Sequence, residues 1–205
     1  MMAPVADDAP IALDLLPNWH AVFGERARCL ELEIGSGHGG HALAFAREHP
    51  DRALVAIEQR RKFAERLRVR SLERGHKNLV ALQGDARILA PRLFRVASLA
   101  AIHVHFPDPW WKRRHERRRL IDEGMARLLF ELIAPGGLLD IRTDVERCAL
   151  EALLRLEAIG FENEAGRGCF SERQEREIPS TREKRYLASA SRVWRLRLRR
   201  TGRPA

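Results

Sequence analysis

Cysteine is scarce in this chain of 205 residues: Cys29, Cys148 and Cys169 show no C-x-x-C spacing and no even count. That excludes a disulfide framework and a cysteine-based zinc site. No run of about 18 apolar residues is present to span a bilayer, and Met1 to Pro10 carries two aspartates in place of a basic-then-apolar leader. Both absences lead us to expect a cytoplasmic protein with no membrane partner. Internal repeats are lacking, and the biased segments are all rich in arginine. Acidic side chains are the minority charge, 28 Asp and Glu against 37 Lys and Arg, and the net charge of +9 suits a polyanionic partner, nucleic acid first among them.

What is present reads as an α/β protein. A chain of this length fits one compact domain that buries roughly 70% of its unfolded surface. Residues 1–10, rich in Ala, Pro and Asp without periodicity, read as a flexible lead-in to a single domain over 11–205. Short apolar runs at Cys29 to Ile34, Ala53 to Glu58, Asn78 to Gln83, Ala100 to Phe106 and Gly137 to Arg142 predict strands. Amphipathic stretches at Gly40 to Glu48, Arg61 to Arg74, Glu116 to Ile133 and Val145 to Ile159 predict helices, with Gly75, Pro135-Gly136-Gly137 and Gly160 as stops. This alternation implies a parallel sheet covered on both faces. Ser191 to Arg200 alternates Trp194, Leu196 and Leu198 with Arg195, Arg197 and Arg199, which predicts a late antiparallel strand with one buried and one charged face. Between Asn163 and Arg185 the chain is polar and aperiodic, either a functional loop or a mobile one.

A glycine loop joins the first strand to the first helix of this alternation: Glu31-Leu32-Glu33-Ile34-Gly35-Ser36-Gly37-His38-Gly39-Gly40. Glycine there permits a sharp turn and close approach of the backbone to a ligand. Gly35, Gly37 and Gly40 fit a dinucleotide G-x-G-x-x-G, and Glu58 ends the second strand where a carboxylate meets a ribose, so the loop alone does not choose a cofactor. Glu33 does choose. An acid just before the loop repels a pyrophosphate but attracts the sulfonium and α-ammonium charges of S-adenosylmethionine. Asp85, after the third strand, adds an acceptor suited to an adenine amino group. The competing reading makes all three acids solvated strand ends.

After the fourth strand, Phe106 to Arg119 reads Phe-Pro-Asp-Pro-Trp-Trp-Lys-Arg-Arg-His-Glu-Arg-Arg-Arg. Pro107 and Pro109 fix φ and push Phe106 and Asp108 toward extended backbone, holding Asp108 rigidly beside the glycine loop. Trp110 or Trp111 offers a stacking platform, and the following lysine and arginines offer phosphate contacts, a mixture that suits a nucleobase substrate. His103 and His105 share one side of the fourth strand, a spacing that suits a metal. No third ligand stands in a compelling position and the neighbours are apolar, so no metal is expected.

Taken together these motifs resemble the bacterial tRNA (guanine-N7)-methyltransferase family. The resemblance runs from about Leu30 to the last strand and is most specific in Phe106-Pro107-Asp108-Pro109-Trp110 with Lys112, Arg114, His115, Arg118 and Arg119. It implies a Rossmann-like class I methyltransferase fold: a mainly parallel seven-stranded sheet, helices on both faces and a late antiparallel strand. It also implies S-adenosyl-L-methionine as cofactor, held at Glu33, Gly35, Gly37, Glu58, Asp85 and Asp108, with Asp108 catalytic as well. Substrate contacts are implied at Lys112, Arg114 and Asp144, and at Ser180, Thr181, Arg182 and Glu183, which stand where the family has a Thr-x-x-Glu element. The implied product is 7-methylguanosine in the tRNA variable loop, made by a monomer or homodimer. From the residues alone Asp144 also reads as a helix N-cap or first-turn carboxylate, and Ser180 to Arg185 as an exposed polar loop. Other methyl acceptors, a nicotinamide oxidoreductase and a non-catalytic RNA-binding module are the competing functions.

Overall fold

The structure is a computed structural model that describes residues 16–108 and 120–202. Its strands are β1 (Leu30–Ile34), β2 (Ala53–Glu58), β3 (Leu79–Gln83), β4 (Leu99–His105), β5 (Ile133–Thr143), β6 (Phe161–Asn163) and β7 (Trp194–Arg200). Helices α1 (Trp19–Phe23), α2 (Gly40–Glu48), α3 (Arg61–Glu73), α4 (Ala86–Leu93), α5 (Glu123–Leu132), α6 (Glu146–Ile159) and α7 (Thr181–Ala188) connect or precede them. All seven strands join one sheet in the order β3-β2-β1-β4-β5-β7-β6. β1 to β5 run parallel, and β7 is antiparallel to both β5 and β6. The chain therefore builds outward from β1 to β3, then returns to start again at β4. The crevice between β1 and β4 is the switch point at which open α/β sheets bind ligands.

The two faces of the sheet differ in chemistry. On one, Leu32, Ile34, Val55, Ile57, Ile102, Val104, Leu139, Ile141, Leu196 and Leu198 form a continuous apolar core with α4, α5 and α6. Fully burying side chains of this size stabilises by roughly 1.5–3 kcal/mol each. On the other face the centre of the sheet is polar. The register sets Glu33 beside His103, His103 beside Asp140 and Asp140 beside Arg197, while His105 lies beside Arg142 and Arg142 beside Arg195. Six of these seven side chains belong to buried residues; Arg197 is the exception.

Most expected elements are present, and the differences have local causes. The helix expected from Glu116 begins at Glu123, because Asp122 caps it by accepting the Met125 amide at 2.8 Å; residues 116–119 lie outside the described residues. Pro135-Gly136-Gly137 is not a turn between elements but an irregularity inside β5, where the register against β4 shifts and Gly136 takes φ 77°. Arg195 does not sit on a solvated face: it is 6% exposed and paired with Glu177 and Glu183. The segment after Asn163 contains α7 and is pinned to the sheet, with Arg142 donating to the Ile178 carbonyl at 2.9 Å. Residues 1–10 lie outside the described residues.

Candidate active site

The C-terminal ends of β1 to β4 open into a cleft of about 710 Å³. Glu33, Gly35, Gly37, Glu58, Asp85 and Asp108 all line it, and Ser180, Thr181 and Arg182 close one side. Gly35 and Gly37 take φ of 78° and 52°, a region that costs side-chain-bearing residues and explains glycine at both positions. Glu58 braces this loop. Its Oε2 accepts the Gly37 amide and its Oε1 the Arg60 amide, both at 2.8 Å. A carboxylate offers about four acceptor sites, so two remain for a ligand hydroxyl pair.

The other acids have distinct environments. Glu33 is 2% exposed, and its Oε2 lies 3.3 Å from His41 Nδ1 without a hydrogen-bond partner among the described residues. Burial alone would raise its pKa, but the charges of His41, His105 and His103 hold it below the usual carboxylate range. Asp85 is the N-cap of α4, accepting the Arg87 amide at 2.9 Å, and borders the cleft from there. The Asp108 side chain is 62% exposed, lies 3.7 Å from Arg60 Nη2 and faces the cleft rather than the interior.

Phe106 corrects one expectation. It is not extended but left-handed, at φ 53°, with its amide donating to the Arg142 carbonyl at 2.6 Å and its ring 5.5 Å from that of Tyr186. The chain turns sharply as it leaves the sheet, and the neighbouring strand and α7 hold the turn.

On the α7 side, Tyr186 donates its hydroxyl to Asp144 Oδ2 at 2.7 Å, and Arg182 donates to the same oxygen at 3.1 Å. Asp144 therefore does not act as a helix cap; the N-cap of α6 is Val145. Ser180 caps α7 by accepting the Glu183 amide at 3.2 Å. Thr181 sits so close to Gly40 that a Cβ there would collide with it. Glu183 does not line the cleft. It is 0% exposed, with Oε2 accepting from Arg142 at 2.8 Å and Oε1 from Arg195, so it anchors α7 to the sheet. Burial would raise the Glu183 carboxyl; Arg142 and Arg195 outweigh that and hold it down. Lys112 and Arg114 lie outside the described residues.

Beneath the cleft, burial would lower His103, but the neighbouring carboxylates of Asp140 and Glu31 raise it to about 9. Burial and the charge of His41 push His105 down to about 4 despite its bond to Asp140. His41 is the third histidine that the sequence did not place beside this pair. Tyr186 was missed too, although Ser180-x-x-Glu183 has capping-box spacing and announces a helix on which residues 182 and 186 share a face.

The strand order, the glycine turn after β1 and the acids ending β1, β2 and the β3 turn define a class I methyltransferase. A family described as "Putative methyltransferase" matches residues 27–196. A tRNA (guanine-N(7)-)-methyltransferase of Anaeromyxobacter dehalogenans is 65% identical over 97% of this chain and 98% of its own length. Another, of Myxococcus xanthus, is 50% identical over 89% of this chain and 88% of its own. Among solved structures, the aminoglycoside resistance methyltransferase NpmB1 superposes with a TM-score of 0.63 at 19% identity, over 89% of this chain and 92% of that one, a likeness of fold. The chain belongs to the tRNA (guanine-N7)-methyltransferase family.

Proposed function

We propose that this protein transfers a methyl group from S-adenosylmethionine to N7 of a guanine in the variable loop of tRNA, in the cytoplasm. The observation that carries this reading is the convergence of Glu33, the glycine loop, Glu58, Asp85 and Asp108 on one cleft. The residues fit such a cofactor: Glu33 offers a buried anionic oxygen without a hydrogen-bond partner, and the glycine loop offers backbone that no Cβ crowds at Gly35 or Gly37. Glu33 takes the α-ammonium group, Glu58 the ribose hydroxyls and Asp85 the adenine amine. The bound donor supplies an electrophilic methyl group on a positively charged sulfur.

Guanine N7 carries an in-plane lone pair and no proton, so the chain need not supply a general base. Its work is alignment, which in favourable cases accounts for roughly 7–11 kcal/mol of a barrier. Asp108 orients the base by accepting from guanine N1–H and the exocyclic amine, donors that adenine presents differently. Arg182, which lines the cleft and donates to Asp144 at 3.1 Å, forms the facing wall. Lys112 and Arg114 bind phosphate.

Incubating the protein with bulk tRNA and methyl-labelled S-adenosylmethionine, followed by nucleoside analysis, tests this reading. Label in 7-methylguanosine is expected. Label in another nucleoside or in protein overturns the substrate assignment, and calorimetric binding of NAD but not S-adenosylhomocysteine overturns the cofactor.

A further inference from the structure

Three histidines converge under the cleft, and methyl transfer has no use for them as a group. His41 comes from the first turn of α2, His103 and His105 from β4, and the three are 3%, 7% and 7% exposed. One ring nitrogen of each lies within 4.8 Å of one from each of the others. Nδ1 of all three lacks a hydrogen-bond partner among the described residues; that of His103 lies 3.6 Å from Asp140 Oδ2 and that of His41 3.3 Å from Glu33 Oε2. Buried polar atoms are rarely left so, and three ring nitrogens gathered in one place call for a shared partner.

The opposite sides of two rings are already engaged. His105 Nε2 donates to Asp140 Oδ2 at 3.0 Å, and His103 Nε2 to Glu31 Oε2 at 2.6 Å. A neutral imidazole that gives its Nε2–H to a carboxylate carries its lone pair on Nδ1, and a binding metal displaces any proton still held there. A carboxylate behind the ring is also what orients a metal-ligating histidine and strengthens it as a donor.

We propose that His41, His103 and His105 form a binding site for a divalent transition metal of the zinc type, with the fourth position open toward the cleft. Imidazole nitrogen selects such ions over calcium and magnesium, which prefer oxygen. Zinc–nitrogen bonds of about 2.0–2.1 Å place tetrahedral ligands roughly 3.3 Å apart, so the rings turn inward onto the ion. His105 and Glu33 both line the cleft, which gives the ion its entry. Bound there, it staples the helix that follows the glycine loop to the central strand. The inference does not rest on the methyl-transfer reading.

The test uses the full chain stripped with a chelator and titrated with Co²⁺, then Zn²⁺. We expect tetrahedral Co²⁺ absorption that saturates at one ion per chain and is bleached by Zn²⁺, together with a higher melting temperature in Zn²⁺. His41→Gln and His105→Gln should each abolish the absorption while far-ultraviolet circular dichroism is retained. Should either variant fail to fold, imidazole nitrogen resonances of the unmodified chain decide: three must shift when Zn²⁺ is added. No absorption and no melting shift overturn the proposal, as does absorption that survives in the His41→Gln/His105→Gln double variant. The trio is then a cluster bridged by water and protons.

Discussion

Arg142 on β5 and Glu183 on α7 form an ion pair of 2.8 Å between side chains that are 3% and 0% exposed. Arg195 holds the second oxygen of Glu183, and Asp140 lies 2.7 Å from the second terminal nitrogen of Arg142. A line of buried charge thus runs from the middle of the sheet to the helix whose first turn closes the cleft. Sequence separation hides this relationship: the partners are 41 residues apart and belong to different elements.

Removing Glu183 leaves two buried guanidinium groups undercompensated. Breaking such a pair from one side typically costs about 3–5 kcal/mol, far above the roughly 0–1 kcal/mol of a surface bridge. Glu183→Ala is therefore expected to lower the urea midpoint strongly and to weaken S-adenosylhomocysteine binding, because Ser180 to Arg182 lose their anchor. A midpoint equal to that of the unmodified chain would show that the pair does not hold α7.

The same residue predicts a pH dependence. Arg142 and Arg195 outweigh burial and depress the Glu183 carboxyl below its ordinary 4.5. A depressed acid contributes stability that is fully present above the unfolded value and fades as pH falls through the folded one. The stability gap between the unmodified chain and Glu183→Gln should be constant from neutral pH down to about 4.5 and shrink in more acidic solution. Urea melts of both proteins across that range measure the gap. A gap that widens in acid contradicts the sign.

How much could be read beforehand follows from what kind of force fixes each part. The parallel strands and the antiparallel β7 are legible because a sheet buried on both faces demands near-continuous apolar runs, and a half-charged strand demands alternation. Glu33, Glu58, Asp85 and Asp108 are legible because each stands next to a strand end, and strand ends meet at one edge. The burial of Glu183 is not legible because sequence shows a carboxylate in a polar stretch and not the two arginines paired with it. His41 and Tyr186 were missed for a related reason: their partners, His103 and Asp144, are reached through tertiary packing of helices against the sheet.

Asp108 separates function from folding. Its side chain is exposed and its ion pair among the described residues, with Arg60, is long at 3.7 Å, so Asp108→Ala should leave the melting temperature nearly unchanged. Methyl transfer to tRNA should nevertheless fall by roughly a hundredfold or more, as expected when a reacting group loses its alignment. Near-normal turnover by a folded variant removes Asp108 from the mechanism.

Tyr186→Phe deletes the 2.7 Å bond to Asp144 and keeps the ring against Phe106. The net loss in stability should be about 1 kcal/mol. If the Asp144 carboxylate must be held in place to face the substrate, KM for tRNA rises while S-adenosylhomocysteine affinity stays constant. Parallel kinetics and calorimetry distinguish this from general loosening, which would weaken both.

Gly40→Ala sets two effects of opposite sign against each other. Gly40 opens α2 and its φ lies outside the left-handed region, so on backbone entropy alone alanine should stabilise by roughly 0.5–1 kcal/mol. The added Cβ, however, would meet Thr181 at Oγ1, at the backbone nitrogen 2.9 Å away and at Cβ 3.2 Å away. A backbone atom cannot swing aside as a side-chain tip can, and overpacking of this kind costs about 1–3 kcal/mol. Sterics should win: Gly40→Ala is expected to lower stability and to push α7 off the cleft, raising the dissociation constant for S-adenosylhomocysteine. Thr181→Gly in the same chain removes Oγ1 and Cβ but not the backbone nitrogen, so it should restore part of the loss and not all of it. A Gly40→Ala protein more stable than the parent would mean that α7 does not pack against the start of α2.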